Sequence, residues 1–141
     1  MESMNSPPTI PELLAPAGTV ESGVVALDSG ADAGYAGLSR FNARERGENL
    51  SFEDLGKLLA YAHRGDRKVY VTLNTLVKER ELPDIAEMLV ELAMLRPDAV
   101  IVQDLGVVRL IRERFPCLTI HASTQMGIHN NAGVNVAERM G

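Results

Sequence analysis

Short apolar runs alternate with longer amphipathic stretches along almost the whole chain. The runs occupy residues 12–15, 33–36, 69–73, 99–102 and 118–122, and three of them are rich in Val or Ile. Brief, nearly continuous apolar runs of this kind are what strands buried on both faces of a parallel sheet require. The stretches between them carry helical spacing. Residues 52–64 set Leu55, Leu58, Leu59 and Ala62 on one face, with Ser51 as N-cap and Glu53 and Asp54 in the first turn. Residues 81–95 do the same with Ile85, Met88, Leu89 and Leu92. Three further helices are expected at 21–29, ended by Gly30, at 106–115, stopped by Pro116, and at 131–140, followed by Gly141.

Strict alternation of strand and helix predicts a parallel sheet covered by helices. An open doubly wound sheet and a (β/α)8 barrel both satisfy it. The first strand leads into Ala15-Pro16-Ala17-Gly18 rather than a glycine-rich dinucleotide fingerprint, which favours the barrel. Strand starts fall about 20 to 36 residues apart, near the ~31 per unit of an eight-unit barrel of ~250 residues. The expected architecture is α/β: an incomplete (β/α)8 TIM-type barrel of about five parallel βα units over residues 10–141. A flexible polar leader, residues 1–9, is expected before it.

Composition narrows the picture modestly. The chain of 141 residues is 45% hydrophobic and 23% charged, as in ordinary globular domains. Its net charge of −5 speaks against a bulk electrostatic grip on nucleic acid and leaves a local basic patch open. No apolar run approaches the ~18 residues of a membrane helix. The leader lacks the basic and apolar segments of a secretory signal. The one cysteine, Cys117, makes no internal disulfide and fits a reducing, cytoplasmic location. It is read as a buried or neutral thiol, and by itself it holds neither zinc nor an iron–sulfur cluster.

In parallel α/β folds, chemistry gathers where strands run into their following loops. Those positions hold Arg40, Asn42, Arg44 and Arg46 after the second run, and Asn74 and Thr75 after the third. Gln103 and Asp104 follow the fourth, and Ser123, Thr124 and Gln125 the fifth, with His121 late in that run. Arg40 and Arg44 suit a carboxylate or phosphate as well as they suit a solvated loop paired with Glu45 and Glu48; Arg46 fits the solvated loop better. His121 is read first as a strand histidine satisfied by hydrogen bonds, with a general base or ligand as the alternative. Asp104 reads as a helix cap before it reads as an acid catalyst. Paired carboxylates, a phosphate-cradling loop and metal-spaced histidines do not stand out.

Six stretches carry a resemblance to a known family. They are PELLAPAG (11–18), GADAGYAG (30–37), FNARERGENLS (41–51), VYVTLNTLV (69–77), DAVIVQDLGV (98–107) and IHASTQMGIHN (120–130). In this order and spacing they resemble peptidase family U32, the collagenase-like proteases, over nearly the whole chain. The resemblance implies a (β/α) barrel and an enzyme assigned as a protease. Related members are similar to hydroxylation factors that act on transfer RNA, ribosomal RNA or a ubiquinone precursor and hold an iron–sulfur cluster with four cysteines placed after the fifth strand.

The resemblance therefore implies the N-terminal part of a U32-type enzyme, inactive alone, with no cofactor of its own and with the cluster in the complete protein. In it Arg40, Asn42, Arg44, Asn74, Gln103, Ser123, Thr124 and Gln125 line the mouth for a small-molecule, peptide or RNA substrate, with His121 as the catalytic candidate. The missing half of the barrel, or self-association, is expected to cover the exposed sheet edges. A non-catalytic binding or scaffold module and a metal-dependent hydrolase remain as the other classes.

Overall fold

Residues 69–73 alternate Val, Tyr, Val, Thr, Leu, and a strand sends successive side chains to opposite faces. That alternation determines what each face of the sheet becomes. The computed structural model describes residues 10–43 and 47–141; the expected leader, residues 1–9, lies outside them. The strands are β1 (Leu14–Pro16), β2 (Ala33–Gly37), β3 (Lys68–Leu73), β4 (Ala99–Val102) and β5 (Ile120–Ala122). The helices are α1 (Val20–Asp28), α2 (Phe52–Arg64), α3 (Leu82–Leu95), α4 (Leu105–Arg114) and α5 (Asn131–Met140).

The five strands form one parallel sheet in the order β1-β2-β3-β4-β5. A doubly wound sheet reverses its strand order at a switch point, whereas a barrel adds each unit beside the last. Strand order therefore decides between the two architectures: this is an incomplete (β/α) barrel, with β1 and β5 as its open edges. The first strand starts at Leu14 and runs through Pro16, later than the expected 12–15. Pro16 is tolerated there because β1 is an edge strand. The fifth starts at Ile120, not 118, because the amide of Leu118 turns back to Phe115 O at 2.9 Å.

Val69, Val71, Leu73, Val100 and Val102 face the helices and meet Leu55, Leu58, Leu59, Ile85, Leu89, Leu92 and Ile111 in the main core. Tyr70, Ala33 and Ala99, with Tyr35 and Ile101 beside them, form a separate small cluster on the opposite, inner face. Helix α5 contributes no buried residue, and Val134 and Val136 stay exposed on it.

Two aspartates staple the N-terminal ends of the strands. Asp32 accepts the Leu13 amide at 2.8 Å and pairs with Arg67 at 3.0 Å. Asp98 accepts the Val69 amide at 2.8 Å and pairs with His63 at 2.9 Å. Each carboxylate thereby satisfies an amide at the start of the preceding strand and ties it to the turn leading into the sheet. Cys117 belongs to the same rim and is exposed, so of the expected buried or neutral thiol the burial is not found. Leu118, 2% exposed, is the residue that this turn buries instead.

At the other rim Ser51 caps α2 through the Asp54 amide at 3.0 Å. Asp104 caps α4 through Val107 N at 3.0 Å, and its second oxygen accepts Val77 N at 3.1 Å. One carboxylate thus holds both a helix start and the loop leaving β3. Asp104→Ala is expected to cost about 2 kcal/mol in urea unfolding, with Asp104→Asn, which keeps one acceptor oxygen of the two, recovering at most about half of it. Equal losses for both variants would contradict separate contributions from the two acceptor oxygens.

Candidate active-site cleft

The inner face of the sheet opens into a cleft of about 560 Å³ that rises from Leu14 and Tyr70 to the loops at the C-terminal ends of the strands. Register places its floor. Pro16 pairs with Tyr35, Tyr35 with Tyr70, Thr72 with Ile101, and Ile101 with His121. All are cleft-lining positions, so neighbouring strands supply an aromatic and aliphatic floor.

Carboxamides gather above it. Beyond β2, Leu38 forms a parallel bridge with Leu50, and Leu50 N donates to Gly37 O at 2.9 Å. Phe41, 8% exposed, anchors the loop after β2 in a left-handed conformation at φ 60°. Asn42 is buried and its amide donates to Leu38 O. Asn74 Oδ1 accepts the Ala43 amide at 3.0 Å, fastening the loop to β3. A Cβ on Gly37 would lie 2.9 Å from both Asn42 Cγ and Asn49 Oδ1. Glycine at 37 is what lets the two carboxamides close over the strand end.

The structure brings together Asn42, Asn74, His121, Ser123, Thr124 and Gln125, all of which line the cleft. It does not bring Gln103 or Arg40 there. Gln103 Nε2 donates to Gln125 O at 3.5 Å and braces the loop after β5 from behind. The Arg40 guanidinium pairs with Asp84 of α3 at 2.6 Å and lies 4.8 Å over the Phe41 ring, so it joins the loop to a helix. Arg44 lies outside the described residues.

His121 differs from the hydrogen-bonded core histidine expected of it. It is exposed to the cleft, and among the described residues its ring meets Tyr70 edge-on, with centroids 4.7 Å apart and planes at 69°. Behind Tyr70 stands a group that inspection of the strand ends alone overlooks. The Tyr70 hydroxyl donates to Glu12 Oε1, and Lys68 Nζ pairs with Glu12 Oε2 at 2.7 Å. A charge at position 12 inside an apolar run, and a tyrosine in register with the inner face, are the signals that mark these residues in the sequence. Lys68 and then Tyr70, through their hydrogen bonds, hold Glu12 below the usual carboxylate range. Burial first, and then the bond to Glu12, push Tyr70 up to about 12.

Among the described residues no group of three or more His, Cys, Asp or Glu is placed to hold a metal ion. The four-thiolate cluster implied by the resemblance does not fit these residues: the only cysteine, Cys117, is on the rim opposite the cleft.

A model of peptidase family U32 matches residues 18–141. The chain belongs to this family. It is 37% identical over 131 residues to a tRNA hydroxylation protein P of Helicobacter pylori, covering 92% of this chain and 31% of that protein. It is 40% identical over 120 residues to an uncharacterized protease of Methanocaldococcus jannaschii, covering 85% of this chain and 29% of that one. The solved U32 peptidase Mk0906 superposes with a TM-score of 0.72 at 13% identity, over all of this chain and 60% of that one; this likeness concerns the fold. The chain thus spans about a third of the length of these two relatives.

The cleft group makes a pH prediction. A Tyr70 pKa raised above its ordinary value of 10 gives a stability contribution present below pH 10 and lost as pH rises through about 12. The lowered Glu12 contributes above its ordinary 4.5, and loses that contribution as pH falls through its depressed value. In a phenolate absorbance titration of the three tyrosines, Tyr70→Phe is expected to remove the step at about 12. Glu12→Gln should bring that step toward 10. Loss of the earliest step instead would assign the high value to another tyrosine.

Proposed function

We propose that this chain forms the substrate-facing part of an enzyme that hydroxylates a nucleoside of RNA. The observation that carries the proposal is the cleft itself, a ring of carboxamides over an aromatic floor. Asn and Gln side chains each offer donors and an acceptor, which match the edge of a nucleobase. Tyr35 and His121 offer ring surface to its face. A volume of about 560 Å³ is in the range of small-ligand sites. The name of the Helicobacter pylori relative, a tRNA hydroxylation protein, supports the same reading.

In this proposal the described residues bind and orient the base and His121 contacts it. Turning a base C–H into C–OH is a two-electron oxidation, and its redox group, oxidant and oxygen donor are supplied from outside residues 10–141. The edges of β1 and β5 are closed by further βα units or by a second copy. Among the described residues no helix is long and apolar enough to cross a membrane; we place the protein in the cytoplasm, where its RNA is.

A peptidase is the second reading, favoured by the name of the Methanocaldococcus jannaschii relative and by carboxamides that suit a peptide backbone equally well. One comparison separates the two. Cells lacking the gene are complemented with the complete protein, their tRNA is digested to nucleosides, and the purified protein is offered peptides. The proposal expects one nucleoside to gain an oxygen atom, with His121→Ala lowering its yield about 100-fold. Peptide cleavage with unchanged RNA would establish the peptidase instead.

A further inference from the structure

Tyr70 is 5% exposed, yet it lines the cleft, because its two ends do different things. The hydroxyl points away from the open rim to Glu12, which is itself held by Lys68 at 2.7 Å. The ring, left without a polar task of its own, faces the cleft and meets the His121 imidazole edge-on at 4.7 Å. The His121 imidazole makes no hydrogen bond among the described residues, so backbone register and this ring contact set where its nitrogens point. Register alone leaves the terminal torsion of an imidazole broad. The aromatic contact is what selects one orientation.

We propose that Tyr70, anchored by Glu12 and Lys68, is a positioning residue that fixes the His121 imidazole on the cleft floor for contact with the substrate base. The proposal rests on the cleft being the substrate site, but the column of residues exists without substrate. Glu12 lies in the segment leading to β1, Lys68 and Tyr70 belong to β3, and His121 belongs to β5, so two strands and that segment converge on one ring. The chemistry divides cleanly. The carboxylate and ammonium hold the phenol, the phenol's ring holds the imidazole, and the imidazole alone faces ligand. Neither Glu12 nor Lys68 needs to touch the substrate for its loss to be felt at the site.

The test uses imidazole resonances of the labelled chain, in which His63 and His129 serve as internal references, together with thermal unfolding. Tyr70→Phe keeps the ring but cuts its bond to Glu12, and is expected to leave a reduced ring-current shift on His121, between wild type and Tyr70→Leu. Tyr70→Leu removes the ring and should move the His121 resonances toward those of the two reference histidines. Glu12→Gln should both lower the Tyr70 titration step and displace His121. If Tyr70→Leu fails to fold, Glu12→Gln carries the test: a lowered Tyr70 step with unmoved His121 resonances overturns the proposal. So does a folded Tyr70→Leu chain with unchanged His121 signals.

In the complete enzyme Tyr70→Leu should lower kcat about 100-fold with a smaller change in KM, the mark of a misplaced group, and Tyr70→Phe, which keeps the ring without its anchor, should fall between that variant and wild type. Equal loss in both variants would overturn positioning by the ring. Intact coupling between Tyr70 and His121 in a protein that modifies no RNA would contradict the proposed function and leave the positioning role standing.

Discussion

Two-sided burial of β3 is the constraint on which the rest depends. From Val69 to Leu73 every residue of this central strand is buried, and it pairs with β2 on one side and β4 on the other. Its odd-numbered residues commit one face to the helices and its even-numbered residues commit the other to the cleft. A slip of one residue would exchange Val71 for Tyr70 or Thr72, placing a phenol or hydroxyl in the aliphatic core and leaving valine where the cleft floor needs a ring. Because neighbouring strands follow this register, Tyr35, Ile101 and His121 arrive on the inner face together.

The fold is legible from periodicity because each element carries its own local signal. The stripe of Leu55, Leu58, Leu59 and Ala62, and the caps at Ser51 and Asp104, lie within one turn or one helix of the feature they specify. Strand order is different. It is settled by packing between distant segments, so alternation alone leaves an open sheet and a barrel equally possible until the order β1-β2-β3-β4-β5 is seen.

The site was legible in part for a related reason. The ends of parallel strands are where function gathers, and that rule finds Asn74, Ser123, Thr124 and Gln125 by position. It does not say which way a loop residue turns. Arg40 turns to Asp84 on α3, while Asn42, two residues on, turns inward beneath Leu38 O. Nor does the rule reach Glu12 and Tyr70, which sit deeper on the inner face. The net charge of −5 agrees with the proposed reading of the cleft as a site for a neutral base rather than a surface that grips phosphates.

The most direct measurement of the central claim is a backbone and side-chain NMR titration of the chain with a short single-stranded RNA. If the cleft is a nucleobase site, shifts concentrate on Tyr35, Asn74, His121 and Gln125, and Asp32 and Asp98 at the opposite rim stay unmoved. Shifts confined to the rim around Asp32, Asp98 and Arg67, with the cleft silent, would contradict it.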